Sequence, residues 1–157
     1  MFRDGAIEGV VVRSLQKYAD PRGWLMELFR EDEVAAEFMP VMGYVSMTGA
    51  GIARGPHEHR EQADFFAFIG PSTFAVTLWD NRALSHTYRV RQVVTAGENA
   101  PTALIIPAGV VHAYRNVGSG EGMVLNFPNR LFAGKGKKSP VDEIRHEADP
   151  GSQFRLD

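Results

Sequence analysis

An all-β fold, of the jelly-roll barrel or sandwich kind with one or two short helices, is predicted for this 157-residue chain by three observations. Apolar residues recur mostly at period two, a helical period is nearly absent, and sixteen glycines and nine prolines cut the chain into short runs. Strands are expected over residues 9–15, 24–29, 42–47, 65–69, 72–79, 88–94, 103–106, 110–116 and 123–127, each rich in Val, Ile, Phe, Thr or Tyr and bounded by turn residues. In 72–79, Phe74, Val76 and Leu78 share one face, and Met123, Leu125 and Phe127 alternate in the same way. A helix is predicted over 31–38, where acidic residues in the first turn complement the helix dipole and Pro40 stops it. A second is expected after Ser139, with Pro140 at its first position. The stretch 134–138, Gly-Lys-Gly-Lys-Lys, reads as a solvated basic turn. No repeat or linker divides the chain, so residues 1–157 are expected to form one domain.

Composition narrows the function. Lys plus Arg number 17 against 19 Asp plus Glu, a net charge of −2 with no basic stripe, which argues against a dedicated nucleic-acid binder. The absence of cysteine excludes disulfides, thiolate metal ligands and a cysteine nucleophile. No run approaches the roughly 20 apolar residues that span a bilayer, and the first residues do not read as a signal peptide. A cytoplasmic protein without membrane or nucleic-acid partners is the resulting expectation.

Chemistry concentrates at the histidines. In 51–64, His57 and His59 lie two apart and share a strand face; in 107–116, His112, Tyr114 and Asn116 do the same. Imidazoles converging inside a small barrel suit either proton transfer or metal ligation. The pattern G-x5-H-x-H followed by P-x-G-x2-H-x3-N resembles the paired motifs of the cupins, which are β jelly rolls. Asp64 is the nearest match to the acidic ligand of the first motif, so a site of His57, His59, Asp64 and His112 holding one divalent transition metal is the alternative to a cofactor-free site.

A second resemblance covers nearly the whole chain. Asp20-Pro21-Arg22-Gly23 with Glu27, Arg54-Gly55-Pro56-His57, the run from Val76 to Arg82 with Ser85 and Thr87, Ile106 to Tyr114, and Asp142-Glu143-Ile144-Arg145 with Asp149-Pro150 resemble, in order, segments of the dTDP-4-dehydrorhamnose 3,5-epimerase family. The resemblance implies a sugar-nucleotide isomerase of deoxysugar or polysaccharide biosynthesis, without cofactor, that removes a proton beside the ketone of a dTDP-4-keto-6-deoxyhexose. It implies His57 as base, His112 near the keto oxygen, Arg22 and Arg54 on the diphosphate, and Glu27 and Glu143 as acidic positions contacting the nucleotide. Asn126 stands where the family carries its acid, a tyrosine; asparagine donates a hydrogen bond but no proton. Tyr114 is the replacement acid, and His57 with His59 resembles the ketoisomerase branch, where paired histidines move protons between neighbouring carbons. A non-catalytic sugar-nucleotide-binding relative is the third reading. A homodimer is also implied, with N-terminal strands crossing to the partner so that Arg22 and Glu27 complete its site.

Overall fold

The alternation becomes two facing sheets. The computed structural model describes residues 1–156. Its strands are β1 (Arg3–Asp4), β2 (Val11–Ser14), β3 (Lys17–Asp20), β4 (Gly23–Met26), β5 (Tyr44–Thr48), β6 (Ala53–Glu58), β7 (Asp64–Phe68), β8 (Thr73–Asp80), β9 (Val90–Gly97), β10 (Thr102–Ile106), β11 (Val110–Asn116), β12 (Gly122–Asn126) and β13 (Ile144–Arg145). One sheet runs β1-β9-β8-β11-β6-β13, the other β2-β10-β7-β12-β5, and β3-β4 form a separate hairpin. This is the predicted jelly-roll architecture.

Phe66, Phe68, Phe74, Val76, Leu78, Leu104, Ile106, Val110, Tyr114 and Val124 fill the space between the sheets. The alternate residues of the central strands are buried too, against outer covers. Phe65, Ala67, Ala103 and Ile105 meet Met26, Leu28, Phe29, Val34 and Phe38. Val111, Ala113 and Trp79 meet Phe154 and Leu156. Double-sided burial explains why β7 and β10 read as unbroken apolar runs.

Both helix expectations are corrected. Residues 31–38 form turns and a single 3-10 turn, Ala36–Phe38, with no side-chain cap. A segment this short does not offset its nucleation cost, and its Val34 and Phe38 side chains are held instead by the outer apolar cover. After Ser139 there is no helix. Asp142 there accepts backbone N–H bonds from Arg60, Glu61 and Gln62 at 2.8–2.9 Å, and Ile144–Arg145 pair with Glu58 and His57. Strand pairing takes the backbone that a helix would use. The only other helical turn among the described residues is Lys135–Lys137, within the basic stretch. No helix among them is long and apolar enough to cross a membrane.

The Val76–Thr87 motif is explained by one carboxylate. Asp80 is fully buried and accepts bonds from Arg82 N, Nε and Nη2, Ser85 Oγ and Thr87 Oγ1 at 2.6–3.0 Å, closing the β8–β9 connection. Burial raises its pKa, but the Arg82 guanidinium and the two hydroxyls outweigh that and hold the carboxyl below the ordinary carboxylate range. A carboxyl depressed in the folded state stabilises above its unfolded pKa, and that contribution is lost as pH falls through the folded value. We therefore expect Asp80→Asn to cost about 2 kcal/mol at neutral pH and to shrink the difference from wild type as the solution is acidified below about pH 4. Urea midpoints measured from pH 7 to pH 2 check this; an unchanged gap across that range contradicts it.

Candidate active site

The sheet register brings the sequence-distant histidines together. His112 on β11 is the direct cross-strand partner of His57 on β6. Both side chains point between the sheets, with ring centroids 4.4 Å apart. A bulge falls between this pair and the Tyr114–Arg54 pair. Gly55 forms it with φ +82°, and a Cβ there would lie 2.5 Å from the His112 carbonyl oxygen. His59 follows β6, its ring 5.6 Å from that of His57 and 5.9 Å from that of His112.

The opposite sheet supplies the acid and amide groups. Asp64 opens β7 and is 1% exposed. Its Oδ2 lies 3.0 Å from His59 Nε2 and 3.1 Å from His112 Nε2. Its Oδ1 accepts bonds from Gln62 Nε2 and Asn126 Nδ2, both at 2.9 Å. Asn126 also donates to the Tyr44 hydroxyl at 2.9 Å and accepts from Phe65 N at 3.1 Å. Tyr44 reaches it because it is Asn126's cross-strand partner on β5.

Electrostatics differentiates these groups. Burial, reinforced by His112, lowers His57 to about 2, so its imidazole is neutral. Burial also disfavours charge on His59, but the Asp64 carboxylate outweighs it and, with Asp142, raises that histidine to about 9. Burial pushes Asp64 up, yet the two imidazoles beside it pull it well below the usual range. Burial lifts Tyr44 to about 12 and raises Tyr114 too, so both phenols carry their protons.

His57 and His59 line a cavity of about 1140 Å³ that also exposes Tyr44, Ser46, Tyr114 and Phe66. Arg54, Arg130, Lys137 and Arg145 line it, with Glu61, Glu143 and Glu147 interspersed. Arg54 is braced by Thr48 Oγ1 at 3.0 Å and the Met47 carbonyl at 2.9 Å, and Arg145 pairs with Glu143 at 2.7 Å.

Most sequence-predicted residues thus converge: His57, His59, Asp64, His112, Tyr114, Arg54, Asn126 and Glu143. Arg22 and Glu27 do not. Arg22 sits at the tip of the β3–β4 hairpin, 90% exposed and paired with Asp20, and Glu27 faces Arg30 at 3.6 Å. Asn116 shares the His112 face but is spent on structure, bonding the Thr48 and Gly120 carbonyls, Ser72 Oγ and Gly118 N. The basic stretch read as a solvated turn lines the cavity through Gly134, Gly136 and Lys137. Sequence reasoning gave no role to Tyr44, Gln62 or Asp142; the latter two lie in segments it singled out for other residues, and Tyr44 lies in a strand that carries no local motif. It also passed over His146, whose Nε2 is 2.9 Å from the buried Glu58 on the outer side of β6.

The model of the dTDP-4-dehydrorhamnose 3,5-epimerase family matches residues 4–127. The chain belongs to that family. Its relatives include the probable low-salt glycan biosynthesis epimerase Agl13 of Haloferax volcanii, 35% identical over 127 residues, which are 80% of this chain and 81% of the relative. The spore coat polysaccharide biosynthesis protein SpsL of Bacillus subtilis is 36% identical over 127 residues, 80% of this chain and 82% of its own. Among solved structures, a dTDP sugar isomerase from Desulfovibrio desulfuricans G20 superposes with a TM-score of 0.80 at 21% identity, covering 95% of this chain and 91% of the other. That likeness establishes the shared fold. Within the 3,5-epimerase family scaffold, this member carries an Asp64-centred histidine cluster with an asparagine–tyrosine pair beside it.

Proposed function

We propose that this chain is an isomerase or epimerase of a 4-keto-6-deoxyhexose linked to dTDP, acting in the assembly of a polysaccharide or glycan. The observation that carries the reading is a neutral, partly buried imidazole, His57, facing a cavity large enough for a nucleotide sugar and lined by Arg54, Arg130, Lys137 and Arg145. Membership of the family and the biosynthetic names of its relatives support the substrate class.

In this reading His57 removes the proton beside the ketone. Enolisation needs a base at the carbon and donors at the developing oxyanion. Arg54 and Arg145 suit the diphosphate because a guanidinium fork pairs with phosphate oxygens and keeps its charge at any working pH. The phosphate would compete with Glu143 for Arg145. Tyr44 returns the proton: its hydroxyl accepts from Asn126, which leaves its own hydrogen free for substrate. Tyr114 has its hydroxyl 3.2 Å from Ser46 Oγ and its ring among Phe66, Phe68 and Phe74. Tyr44→Phe is expected to slow turnover about a hundredfold and Tyr114→Phe far less. The reverse order in steady-state rates returns the acid role to Tyr114.

The direct test is solvent exchange. Protein mixed with dTDP-4-keto-6-deoxyglucose in deuterated water, followed by proton NMR, is expected to place deuterium at carbon 3, carbon 5 or both. Tight dTDP binding without exchange at either carbon rejects the isomerase and leaves a binding module. The reading includes a homodimer, for which the exposed apolar side chains of Val11, Val12, Tyr18, Trp24 and Leu25 provide a surface near Arg22 and Glu27. A monomer by light scattering at micromolar concentration removes that part.

A further inference from the structure

We infer that Glu58 and His146 form a latch on the outer face of β6 that positions Arg145 for the diphosphate of the nucleotide sugar. The ligand named there rests on the isomerase reading; the latch itself does not. The inference starts from the pleat of one short strand. β13 pairs Ile144 with Glu58 and Arg145 with His57. The register continues to residue 146, whose N–H bonds the Pro56 carbonyl at 2.9 Å. Side chains alternate along such a segment. Glu143, Arg145 and Glu147 accordingly line the cavity, while Ile144 and His146 stand on the face of Glu58, away from it. Whatever fixes His146 on the outside fixes Arg145 on the inside, one residue away.

Apolar burial does not hold this segment. No residue from 135 to 147 is buried, and none belongs to the apolar clusters between and outside the sheets. A strand of two residues at a sheet edge adds few ladder bonds. Polar contacts at the two ends hold it instead. At one end Asp142 takes the N–H groups of Arg60, Glu61 and Gln62. At the other, His146 Nε2 lies 2.9 Å from Glu58 Oε1, and Asn81 Nδ2 donates to the same oxygen at 2.9 Å. A carboxylate only accepts, so the imidazole donates from Nε2. The Glu58 side chain is 8% exposed and that of His146 17%. Phe154 roofs the pair, its ring centroid 4.6 Å from that of His146 and 6.0 Å from that of the buried Trp79. Shielded from water, this bond is stronger than one at the surface, and a carboxylate stripped of its donors there carries a desolvation cost.

Arg145 is the cavity residue that needs such support. Its side chain is 66% exposed and pairs with Glu143 of the same segment; among the described residues no ion pair ties it to another element. Arg54, by contrast, is braced by Thr48 and the Met47 carbonyl. The Arg145 guanidinium therefore goes where its backbone goes. With His146 released, the segment keeps Asp142 but loses its other anchor, and Arg145 is no longer held at the cavity wall. A diphosphate is remote from the reacting carbons of the sugar, so this contact serves ground state and transition state alike. Its loss appears in KM and not in kcat. Glu58 and His146 are thus positioning residues that act through Arg145.

The test compares His146→Ala with His146→Gln, whose amide N–H keeps a donor for Glu58. In His146→Ala, calorimetric dTDP affinity is expected to fall about tenfold. The KM for the keto sugar should rise by the same factor with kcat within about twofold of wild type. Thymidine, which lacks the phosphates, should bind as it does to wild type, and His146→Gln should restore most of the dTDP affinity. In an Arg145→Ala background the His146→Ala effect on dTDP should vanish, because coupled residues are not additive. Amide hydrogen exchange reads the latch without any ligand. The amides of residues 146 and 147, which bond the Pro56 carbonyl, should exchange about tenfold faster in His146→Ala and at the wild-type rate in His146→Gln, with β8 and β11 unchanged. Wild-type exchange at residues 146 and 147 in His146→Ala overturns the latch. So does faster exchange throughout β8 and β11, which makes the pair a part of global stability. An additive loss in the Arg145→Ala background, or equal loss of thymidine and dTDP, overturns its action through Arg145. Wild-type protein that binds no dTDP and places no deuterium on the keto sugar sinks the isomerase reading alone, and amide exchange still decides the latch.

Discussion

Replacing His57 with asparagine is expected to reduce solvent exchange on the keto sugar about 10²–10⁴-fold, the range typical of a lost general base, with dTDP binding retained. The expectation follows from three features of the ring. It faces the cavity, it is kept neutral by burial next to His112, and no hydrogen bond among the described residues ties it to structure. A base must stand at the substrate with a free ring nitrogen, and of the three clustered histidines His57 alone lines the cavity with no hydrogen bond on its ring among the described residues. His59 and His112 are each anchored by a backbone carbonyl. Asparagine keeps the polarity and roughly the reach of the imidazole without offering a base. Exchange rates by NMR and dTDP affinity by calorimetry, run on the same preparation, check the result. Wild-type exchange in His57→Asn transfers the role of base elsewhere; joint loss of exchange and dTDP binding makes His57 a binding residue.

The second large effect is on the backbone that presents His57. Gly55→Ala is expected to destabilise the protein by about 2–4 kcal/mol. That corresponds to a melting temperature lower by roughly 5–15 °C for a chain of this size. Two costs add at this position. The φ of +82° is disfavoured for any residue with a Cβ, and the added carbon would meet the His112 carbonyl at 2.5 Å, His57 Nδ1 at 3.1 Å and Ala113 Cα at 3.2 Å. Two of those three neighbours are backbone atoms of the central strand β11, which has no room to retreat between β8 and β6. The bulge would have to open, and His57 would move with it, so exchange should fall along with stability. Gly120→Ala is the control, because a Cβ there meets nothing within 4 Å; it is expected to stay within about 0.5 kcal/mol of wild type. Equal melting temperatures for Gly55→Ala and wild type would remove the steric argument.

Much of this was legible in the linear chain, for identifiable reasons. Period-two alternation is a local property, so nearly all the core strands and the all-β class followed from it. The histidines declared themselves by spacing: His57 and His59 two apart, His112 in a Pro-Gly-bounded run. Asp64 was within reach as an acidic position close behind the His pair. The helices over 31–38 and after Ser139 failed because charge and proline placement are weak local preferences. Long-range apolar cover in one case and strand pairing in the other overrode them.

What only the tertiary structure decided is how groups from separate strands meet. The pairing of Asn126 with Tyr44 set a phenol from β5 against the asparagine amide on β12. Asp142, 83 residues from His59, came to orient that ring, and β11 pairing with β6 set His112 opposite His57. The same folding left Arg22 and Glu27 away from their own chain's cavity. Sequence spacing encodes the face on which a side chain lies, because that depends on one strand's own pleat. It does not encode which faces are brought opposite each other. That depends on the burial of apolar surface contributed by the whole chain, and in this protein it is the step that makes a site out of scattered polar residues.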